Sequence, residues 1–445
     1  MQNKLIKAVG RAAGIFAVVA IAFTGGVCAP DFSRVHNLPS LQLAFMLMQG
    51  RIQSALLTAA HGDTGLYSPF DAYTDVLGTI QSEYYGKPHS TTQLTYDAIR
   101  GMMGSLNDRY TRFVDPTAYN AMKQDQSGDI VGIGAMLGTN KLNEVFVVRT
   151  IKGGPAERAK VLAGDIIATV DGKSTLKMSD SDVVKLIRGE PNTKVTLSLI
   201  RKGAVKPVVL TIPRGLVHTE VVQYAMIDPA HKIGYLLLSE FNEESDHQLH
   251  SALDDLKSRG MKGLILDLRE NPGGLLDMAQ RIASRFIPSG PVVFTRDKNG
   301  DRETRAVISG LYDKRHPFQL VVLVNGDSAS CSEILSGAIK DTRTGILVGE
   351  RTFGKGLVQE VDDLPDGSAA IITIEHYFTP NGHDINHKGI IPNIVVKYTD
   401  SDERHMFDYL RDHPDSTYDL KYDTQLQHAL TSVKQKVTLA SRLRS

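Results

Sequence analysis

The distribution of apolar residues along the chain predicts a helical N-terminal part, a strand-rich middle and a mixed C-terminal part. Residues 41–60, 71–85 and 94–106 carry apolar side chains every three or four positions, which is the spacing of amphipathic helices. The runs 264–268 and 318–324 are short, almost entirely apolar and bounded by turn-forming residues, as buried strands are. The elements therefore alternate between strand and helix in the C-terminal half.

The middle of the chain, residues 128–213, is predicted to be a separate small domain. Its short apolar runs alternate with two stretches of helical spacing. The predicted strands are 145–151, 166–170, 195–200 and 206–212, and the predicted helices are 155–159 and 179–187.

The N-terminus has the pattern of an export signal. Lys4, Lys7 and Arg11 precede an uncharged apolar run at residues 12–29, which is typical of a secretory signal peptide or a short membrane anchor. No other apolar stretch is long enough to span a bilayer. We therefore expect a cell-envelope protein, either free in the periplasm or another extracytoplasmic space, or anchored to the inner membrane by this segment.

Composition and charge narrow the class of protein. The 445 residues suffice for about three domains, and the 42% apolar content is normal for a globular chain. Cationic and anionic residues balance at 50 each, so nothing indicates nucleic-acid binding. If Cys28 is removed with the signal, Cys331 is left alone and no intramolecular disulfide can form.

A cluster of serines follows the predicted strand 318–324. The sequence Asn325-Gly-Asp-Ser-Ala-Ser-Cys-Ser-Glu-Ile334 leads into a helical pattern, so its hydroxyls lie beside backbone N–H groups that no helical carbonyl can bond. Such donors can stabilise the oxyanion that forms when an acyl group is attacked. A serine nucleophile also requires a base that takes its proton.

Lys355 is the candidate base. It lies in Thr352-Phe-Gly-Lys-Gly-Leu-Val-Gln359, among glycines and apolar residues that could remove water and lower its pKa from about 10.4. Gln359 could accept a hydrogen bond from the amine and orient it. Residue chemistry alone equally allows a helix cap and a solvated turn lysine, and it leaves open which serine would react.

These segments resemble the C-terminal processing peptidases, also called tail-specific proteases. The resemblance rests on Ser328-Ala-Ser-Cys-Ser-Glu-Ile334, Asp341, Lys355 and Gln359. It implies that Ser330 is the nucleophile, Lys355 the base and Gln359 the residue that holds Lys355. Cys331 stands where the family usually has alanine, and we interpret Asp341 as structural.

Other segments extend the resemblance. Lys262-Gly-Leu-Ile-Leu-Asp-Leu-Arg-Glu-Asn-Pro-Gly-Gly274 is similar to a family strand and turn, which implies that the Gly273 and Cys331 N–H groups form the oxyanion hole. Residues 128–213 resemble a PDZ domain, whose peptide-binding loop would be Val131, Gly132, Ile133 and Gly134. An extended substrate C-terminus would pair with the edge of that domain.

The resemblance implies a multidomain α+β or α/β fold in which a ClpP/crotonase-like core carries an inserted PDZ domain and an N-terminal helical region. The expected segments are the signal peptide or anchor at 1–29, the helical region at 30–127, the PDZ domain at 128–213, the peptidase core at 214–398 and a C-terminal helical tail at 399–445, with a helix near 422–437.

The implied function is a serine endopeptidase of the envelope that recognises protein C-termini and needs no metal or cofactor. Its partners would be protein or peptide substrates with accessible C-termini, and the resemblance also allows an adaptor or regulator and a homodimer. The alternative from another class is a non-catalytic peptide-binding scaffold with a degenerate core.

Three other chemistries are disfavoured. A phosphate-binding loop at Gly349 to Gly356 would need a hydroxyl where Gly356 stands, and a zinc site at His383 and His387 would need a helix with glutamate in second place. A thiol protease with Cys331 as nucleophile is disfavoured, because the lysine and glycine positions match the serine peptidases and a small buried cysteine is the simpler interpretation.

Overall fold

The computed structural model describes residues 68–442 apart from 88, 141–142, 152, 315–316, 400–401, 403–417 and 419. The predicted helix at 41–60 and the apolar segment at 12–29 lie outside the described residues. Within the described part, no helix has both the length and the apolar character needed to cross a membrane.

Helices occur at both ends of the described chain and between its strands. The described helices are α1 (Pro69–Glu83), α2 (Thr91–Gly104), α3 (Pro116–Ser127), α4 (Pro155–Arg158), α5 (Asp180–Ile187), α6 (Ser245–Ser258), α7 (Leu276–Phe286), α8 (Cys331–Asp341) and α9 (Thr424–Arg442).

The strands are more numerous and mostly short. The described strands are β1 (Arg112–Val114), β2 (Asp129–Gly132), β3 (Ala135–Thr139), β4 (Val145–Thr150), β5 (Ile166–Val170), β6 (Lys173–Ser174), β7 (Lys194–Ile200), β8 (Val208–Pro213), β9 (Gly215–His218), β10 (Val222–Asp228), β11 (Ile233–Leu238), β12 (Gly263–Asp267), β13 (Pro291–Asp297), β14 (Arg302–Ala306), β15 (Gln319–Val324), β16 (Gly345–Gly349), β17 (Leu357–Asp363), β18 (Ala369–Phe378) and β19 (Ile394–Val395). This mixed, multi-sheet architecture confirms the predicted α+β or α/β class.

The chain divides into one compact unit that ends at Ala98 and a second that begins at Ile99. In the first unit, α1 begins with a capping box, because Ser68 Oγ accepts from the Asp71 N–H at 3.2 Å while the Asp71 carboxylate accepts from the Ser68 N–H at 2.9 Å. Tyr73 then donates to Thr95 Oγ1 at 2.9 Å. The helices at 71–85 and 94–106 predicted from apolar spacing correspond to α1 and α2.

In the second unit, the strand-rich middle of the chain forms an antiparallel sheet in the order β3-β4-β5-β7-β8, with β6 beside β5. Its core is apolar and fully buried: Val147, Val195, Leu197, Leu199 and Ile212. Helix α5 packs against β3, which is an edge strand of the described sheet. The chain enters this domain through β2 and leaves it through β9, and these two strands pair antiparallel.

The central sheet of the remaining part has the order β10-β11-β12-β15-β16-β19, and all its pairs except β10 with β11 are parallel. Strand β15 is buried on both faces. Leu320 and Val322 pack in the core that α6, α7 and α8 cover, whereas Val321 and Leu323 pack in the core that α9 covers. Burial on both faces explains why the strand is a continuous apolar run without alternation.

Because β12 and β15 are parallel neighbours, with Asp267 opposite Leu323, the turns that follow them lie at the same edge of the sheet. These turns are the Asn-Pro-Gly-Gly segment and the serine-rich segment. A second sheet, in which β18 pairs with β1, β13 and β17, places Lys355 just before β17. Ligand sites in parallel sheets form at such carboxyl ends.

Helix α9 is attached to the central sheet by a buried ion network. Arg269, which directly follows Leu268 after β12, contacts Asp267 at 2.6 Å and Asp423 at 2.7 Å. Burial alone would lower the pKa of Arg269, but these two carboxylates hold it well above its ordinary value. Asp423 is fully buried and also accepts from the Leu426 N–H at the start of α9. The same arginine therefore links the segment after β12 to the C-terminal helix.

We expect Asp423→Ala to lower the free energy of unfolding by about 2–3 kcal/mol, because Arg269 keeps Asp267 but loses its second buried partner. Denaturant unfolding would measure the change. The control is Asp255→Ala, which breaks an exposed pair with Arg259 and should cost less than about 1 kcal/mol. Equal losses in both variants would show that the network does not anchor α9.

Candidate active site

The serines after β15 differ in what their hydroxyls do. Ser328 Oγ accepts from the Asn325 N–H at 2.9 Å and donates to the Leu268 carbonyl at 2.8 Å. Ser332 Oγ donates to the Asn271 carbonyl at 2.9 Å. Both side chains are fully buried, whereas Ser330 is half-buried. The outer two serines thus hold the turns after β12 and β15 together.

Ser330 has an unusual backbone conformation, with φ 54° and ψ −114°. For a residue with a side chain, such a conformation costs roughly 1–3 kcal/mol and persists only where the surroundings impose it. The Ser330 N–H donates to the Glu333 carboxylate at 3.0 Å, and the Ser330 carbonyl accepts from the Glu333 N–H at 2.8 Å. A sharp strand-to-helix turn of this kind presents a serine hydroxyl at the top of a sheet.

Gly273 lies directly against this turn. A Cβ on Gly273 would stand 2.7 Å from Ser330 Cβ and 2.9 Å from the Cys331 nitrogen, and its φ of 103° also requires glycine. The Gly273 N–H donates to Asn271 Oδ1 at 2.9 Å. By contrast, the Cys331 N–H has no acceptor among the described residues. Cys331 therefore supplies the available backbone donor beside Ser330.

The environment of the Cys331 side chain does not favour a reactive thiol. Its Sγ donates to the Gly274 carbonyl at 3.2 Å, and the residue is 2% exposed. Burial raises the pKa of the thiol to about 12, against the opposing effects of Ser330 and Lys355. The thiol therefore stays protonated at neutral pH, and the Cys331 backbone is the part that faces the site.

Glu333 joins the turn at Ser330 to the segment that carries Lys355. Its Oε1 accepts from Thr352 Oγ1 at 2.6 Å and from the Gly354 N–H at 2.7 Å. Its Oε2 accepts from the Ser330 N–H at 3.0 Å and from the Lys355 N–H at 2.8 Å. The carboxylate is fully buried; burial raises its pKa, and these hydrogen bonds oppose the rise. One carboxylate oxygen thus ties the backbones of Ser330 and Lys355 together.

Lys355 lies in a partly desolvated environment. Burial lowers the pKa of its amine; the charges of Arg112 and Arg109 act in the same direction, while Cys331 and Glu333 oppose them. Its Nζ lies 4.7 Å from the centre of the Tyr110 ring. Among the described residues no hydrogen bond links Nζ to the Ser330 hydroxyl, and catalytic hydrogen bonds often tighten only when substrate binds.

Tyr377, which the sequence analysis missed, holds the lysine segment from the other side. Its hydroxyl donates to the Lys355 carbonyl, and its N–H donates to the Gly356 carbonyl at 3.0 Å. Burial raises the pKa of Tyr377 well above its usual value, Glu333 and Cys331 act in the same direction, and the Ser330 side chain opposes them. Tyr377 lies in an ordinary strand, so no local signal marks it.

The hydrogen bonds found for the Gln359 and Asp341 side chains among the described residues join them to groups other than the lysine amine. The Gln359 side-chain amide donates to Thr373 Oγ1 at 3.4 Å, which is a long hydrogen bond. Asp341, at the end of α8, accepts from the Asn381 N–H at 2.9 Å and faces His383. In this structure neither side chain bonds Lys355.

The four candidate peptide-binding residues fall into two groups. Val131 and Gly132 belong to β2 and pair with Leu216 and Gly215 of β9. Ile133 and Gly134 lie between β2 and β3, and their carbonyls accept from the Ala156 N–H at 2.6 Å and the Ile151 N–H at 2.9 Å. The second group leads directly into edge strand β3.

The two segments that suggested other chemistries have the wrong local structure for it. Gly349 to Gly356 leads into strand β17, whereas a phosphate-binding loop must lead into a helix. His383 and His387 lie on a loop after β18 and not on a helix.

Comparisons with known proteins show the family to which the chain is related. Residues 232–396 match the model of peptidase family S41, and residues 146–201 match that of the PDZ domain. The carboxyl-terminal-processing protease of Synechocystis sp. is 35% identical over 321 residues, which cover 72% of this chain and 74% of the relative. The chloroplastic C-terminal processing peptidase of Tetradesmus obliquus is 36% identical over 326 residues, which cover 70% and 69% of the two chains.

The fold also has a solved counterpart. A structure from Bacteroides fragilis assigned to the S41 proteases superposes with a TM-score of 0.54 at 17% identity, over 85% of this chain and 99% of that chain. At this identity the likeness concerns the fold alone.

We expect Glu333→Gln to lower the free energy of unfolding by about 2–3 kcal/mol, because an amide accepts through only one of its two terminal atoms and leaves buried donors unpaired. Peptidase activity should fall with it, since the Ser330 and Lys355 backbones lose their shared acceptor. Denaturant unfolding and peptide hydrolysis would measure both effects. Glu360→Gln, at an exposed position of β17, is the matched control. A Glu333→Gln variant as stable and as active as this control would contradict the assigned role.

Proposed function

Because the chain belongs to peptidase family S41 and carries a PDZ domain, we propose that it is an envelope serine endopeptidase that cleaves proteins delivered by their C-termini. In this proposal Ser330 is the nucleophile and Lys355 the general base. The observation that carries it is the shared Glu333 oxygen, which bonds the Ser330 and Lys355 N–H groups at 3.0 and 2.8 Å. That contact supports a common site for two residues that are far apart in the sequence.

The first chemical step is attack by Ser330. Its Oγ would bond to the substrate carbonyl carbon while its proton moves to the neutral Lys355 amine. The resulting oxyanion would accept from the Cys331 N–H, which has no acceptor among the described residues. The Gly273 N–H joins as second donor once it leaves Asn271 Oδ1. Each donor is worth about 3 kcal/mol of transition-state stabilisation if it behaves as in other proteases.

The second step releases the C-terminal fragment. The Lys355 ammonium would return its proton to the leaving amine, and water would then hydrolyse the acyl-enzyme with Lys355 again as base. Lys355 must move from the Tyr110 ring toward Ser330 for both transfers. Tyr377 and Glu333 hold its backbone, so the movement is confined to the side chain.

The PDZ domain would select the substrate. Edge strand β3 offers backbone groups to an extended peptide, and the segment Ile133 and Gly134 precedes it. Val131 and Gly132 pair with β9, so in this proposal they support the loop instead of touching peptide. The envelope location rests on residues 1–29, and an adaptor, a regulator and a homodimer stay predictions.

The rival function is a peptide-binding scaffold without catalysis. The lowered pKa of Lys355 and the available Cys331 N–H favour an enzyme, because a scaffold needs neither. The two functions differ in whether bound peptides are cleaved.

We expect Ser330→Ala and Lys355→Ala each to reduce cleavage of an unstructured, C-terminally tailed protein by at least about a thousandfold, because each removes one half of the nucleophilic pair. Gel and mass-spectrometric assays would measure cleavage. Ser258→Ala is the control: it removes an exposed hydroxyl on α6, which donates to the Asp255 carbonyl, and should keep wild-type activity. Equal residual activity in wild type and both dyad variants would contradict the dyad, and peptide binding without cleavage by wild type would favour the scaffold.

The activity should also decrease as the pH is lowered. Only neutral Lys355 can act as base, and the neutral fraction falls as pH drops below its pKa. Since that pKa is lowered from 10.5, the acid limb of the kcat/KM profile should lie at a lower pH than an ordinary lysine would give. Below that pKa, kcat/KM should fall about tenfold for each pH unit. A rate that stays flat from about pH 5 to 9, with the fold intact by circular dichroism, would count against Lys355 as base.

A further inference from the structure

A cavity of about 580 Å³ opens beside Lys355. Lys355, Tyr110 and Phe353 form one part of its wall, and Pro272 and Ala329 form another. Ala329 precedes the proposed nucleophile and Pro272 precedes the proposed oxyanion donor Gly273. The cavity is therefore continuous with the site at which a peptide bond would be cleaved.

The position of Lys355 indicates which part of a substrate the cavity receives. In peptide hydrolysis the general base returns its proton to the leaving amine, and this nitrogen belongs to the residue that follows the scissile bond. The oxyanion donors lie on the carbonyl side of the bond. A cavity lined by Lys355 and by Tyr110, whose ring centre lies 4.7 Å from Lys355 Nζ, therefore adjoins the leaving residue.

We infer that this cavity holds the side chain of the residue directly after the scissile bond and that its aromatic wall selects an apolar side chain there. The inference rests on the proposed function and adds a substrate preference to it. Phe353 and Tyr110 are then specificity-determining residues.

The aromatic wall is held in place and open to a ligand. Phe353 is 45% exposed, so part of its side chain is open to solvent. Its backbone N–H donates to the Ser328 carbonyl at 3.1 Å. The Arg109 guanidinium lies 5.2 Å from the centre of the Phe353 ring and 4.7 Å from that of Tyr110. Arg109 thus fixes both rings, and an apolar substrate side chain would cover the exposed ring face.

The charges around the cavity disfavour an acidic residue at the same position. Glu270 and Asp327 line it together with Arg109 and Lys355. Once Lys355 is neutral, as the mechanism requires, two carboxylates face one guanidinium. A substrate carboxylate in the cavity would add to this repulsion. It would also stabilise the Lys355 ammonium and so remove the base.

The test uses peptides that differ only in the residue after a mapped cleavage site: Phe, Leu, Gly, Gln and Glu. Wild type should cleave the Phe and Leu peptides at least about 10-fold more efficiently than the Gly peptide, because even one methylene in an apolar pocket provides that much discrimination. Phe353→Ala should lose most of this preference while still cleaving the Gly peptide. Tyr224→Ala removes another half-exposed aromatic ring, 42% exposed and on β10, and should keep the wild-type preference.

The Glu and Gln peptides test the charge argument. The acid limb of kcat should lie at higher pH for the Glu peptide, because its carboxylate, once bound, would raise the pKa of Lys355 in the enzyme–substrate complex. The assignment is overturned if Phe353→Ala lowers kcat/KM equally for all five peptides, or if it changes only the preference for the residue before the bond. Coincident pH profiles for Glu and Gln would overturn it as well. Absence of any Ser330-dependent cleavage by wild type would instead overturn the proposed function, and the pocket assignment with it.

Discussion

The buried carboxylate of Glu333 is the interaction on which the candidate site depends. A charge with no exposed surface is costly unless donors surround it, and here the Ser330, Gly354 and Lys355 N–H groups and the Thr352 hydroxyl do so. Ser330 and Lys355 lie on different elements, one at the start of α8 and one before β17. The need to satisfy one carboxylate therefore fixes the distance between the turn at Ser330 and the segment that carries Lys355.

The parallel sheet supplies the other half of this arrangement. The pairing of β12 with β15 brings Gly273 against Ser330, and only a glycine fits at that distance. Ser328 and Ser332 then bond carbonyls of the neighbouring turn, which leaves Ser330 in its strained conformation with a half-buried hydroxyl. Contacts of the Ser330 backbone and of the two neighbouring serines thus maintain the strained conformation before any substrate arrives.

Much of this could be predicted from local sequence. Apolar runs marked β12 and β15, and the serine-rich and Gly-Lys-Gly segments marked the candidate residues. The helical pattern after the serines indicated a helix start, but it could not show that Glu333 bonds Thr352 and Gly354. Contacts between residues distant in sequence could not be predicted in this way. They include the hydrogen bonds of Tyr377 with Lys355 and of Gln359 with Thr373, and the pairing of β9 with Val131 and Gly132. The contact of Arg269 with Asp423 could not be foreseen for the same reason.

The most direct test of the account is the reaction of the free enzyme with a small phosphonofluoridate, which phosphonylates only an activated serine. The rate of adduct formation and the modified residue would be measured by mass spectrometry across pH, in wild type and in Lys355→Ala. The account predicts a single adduct on Ser330, a rate that rises with pH as Lys355 loses its proton, and little reaction in Lys355→Ala. An adduct on Ser328 or Ser332, or an equal rate in the two proteins, would contradict the nucleophile and base pair.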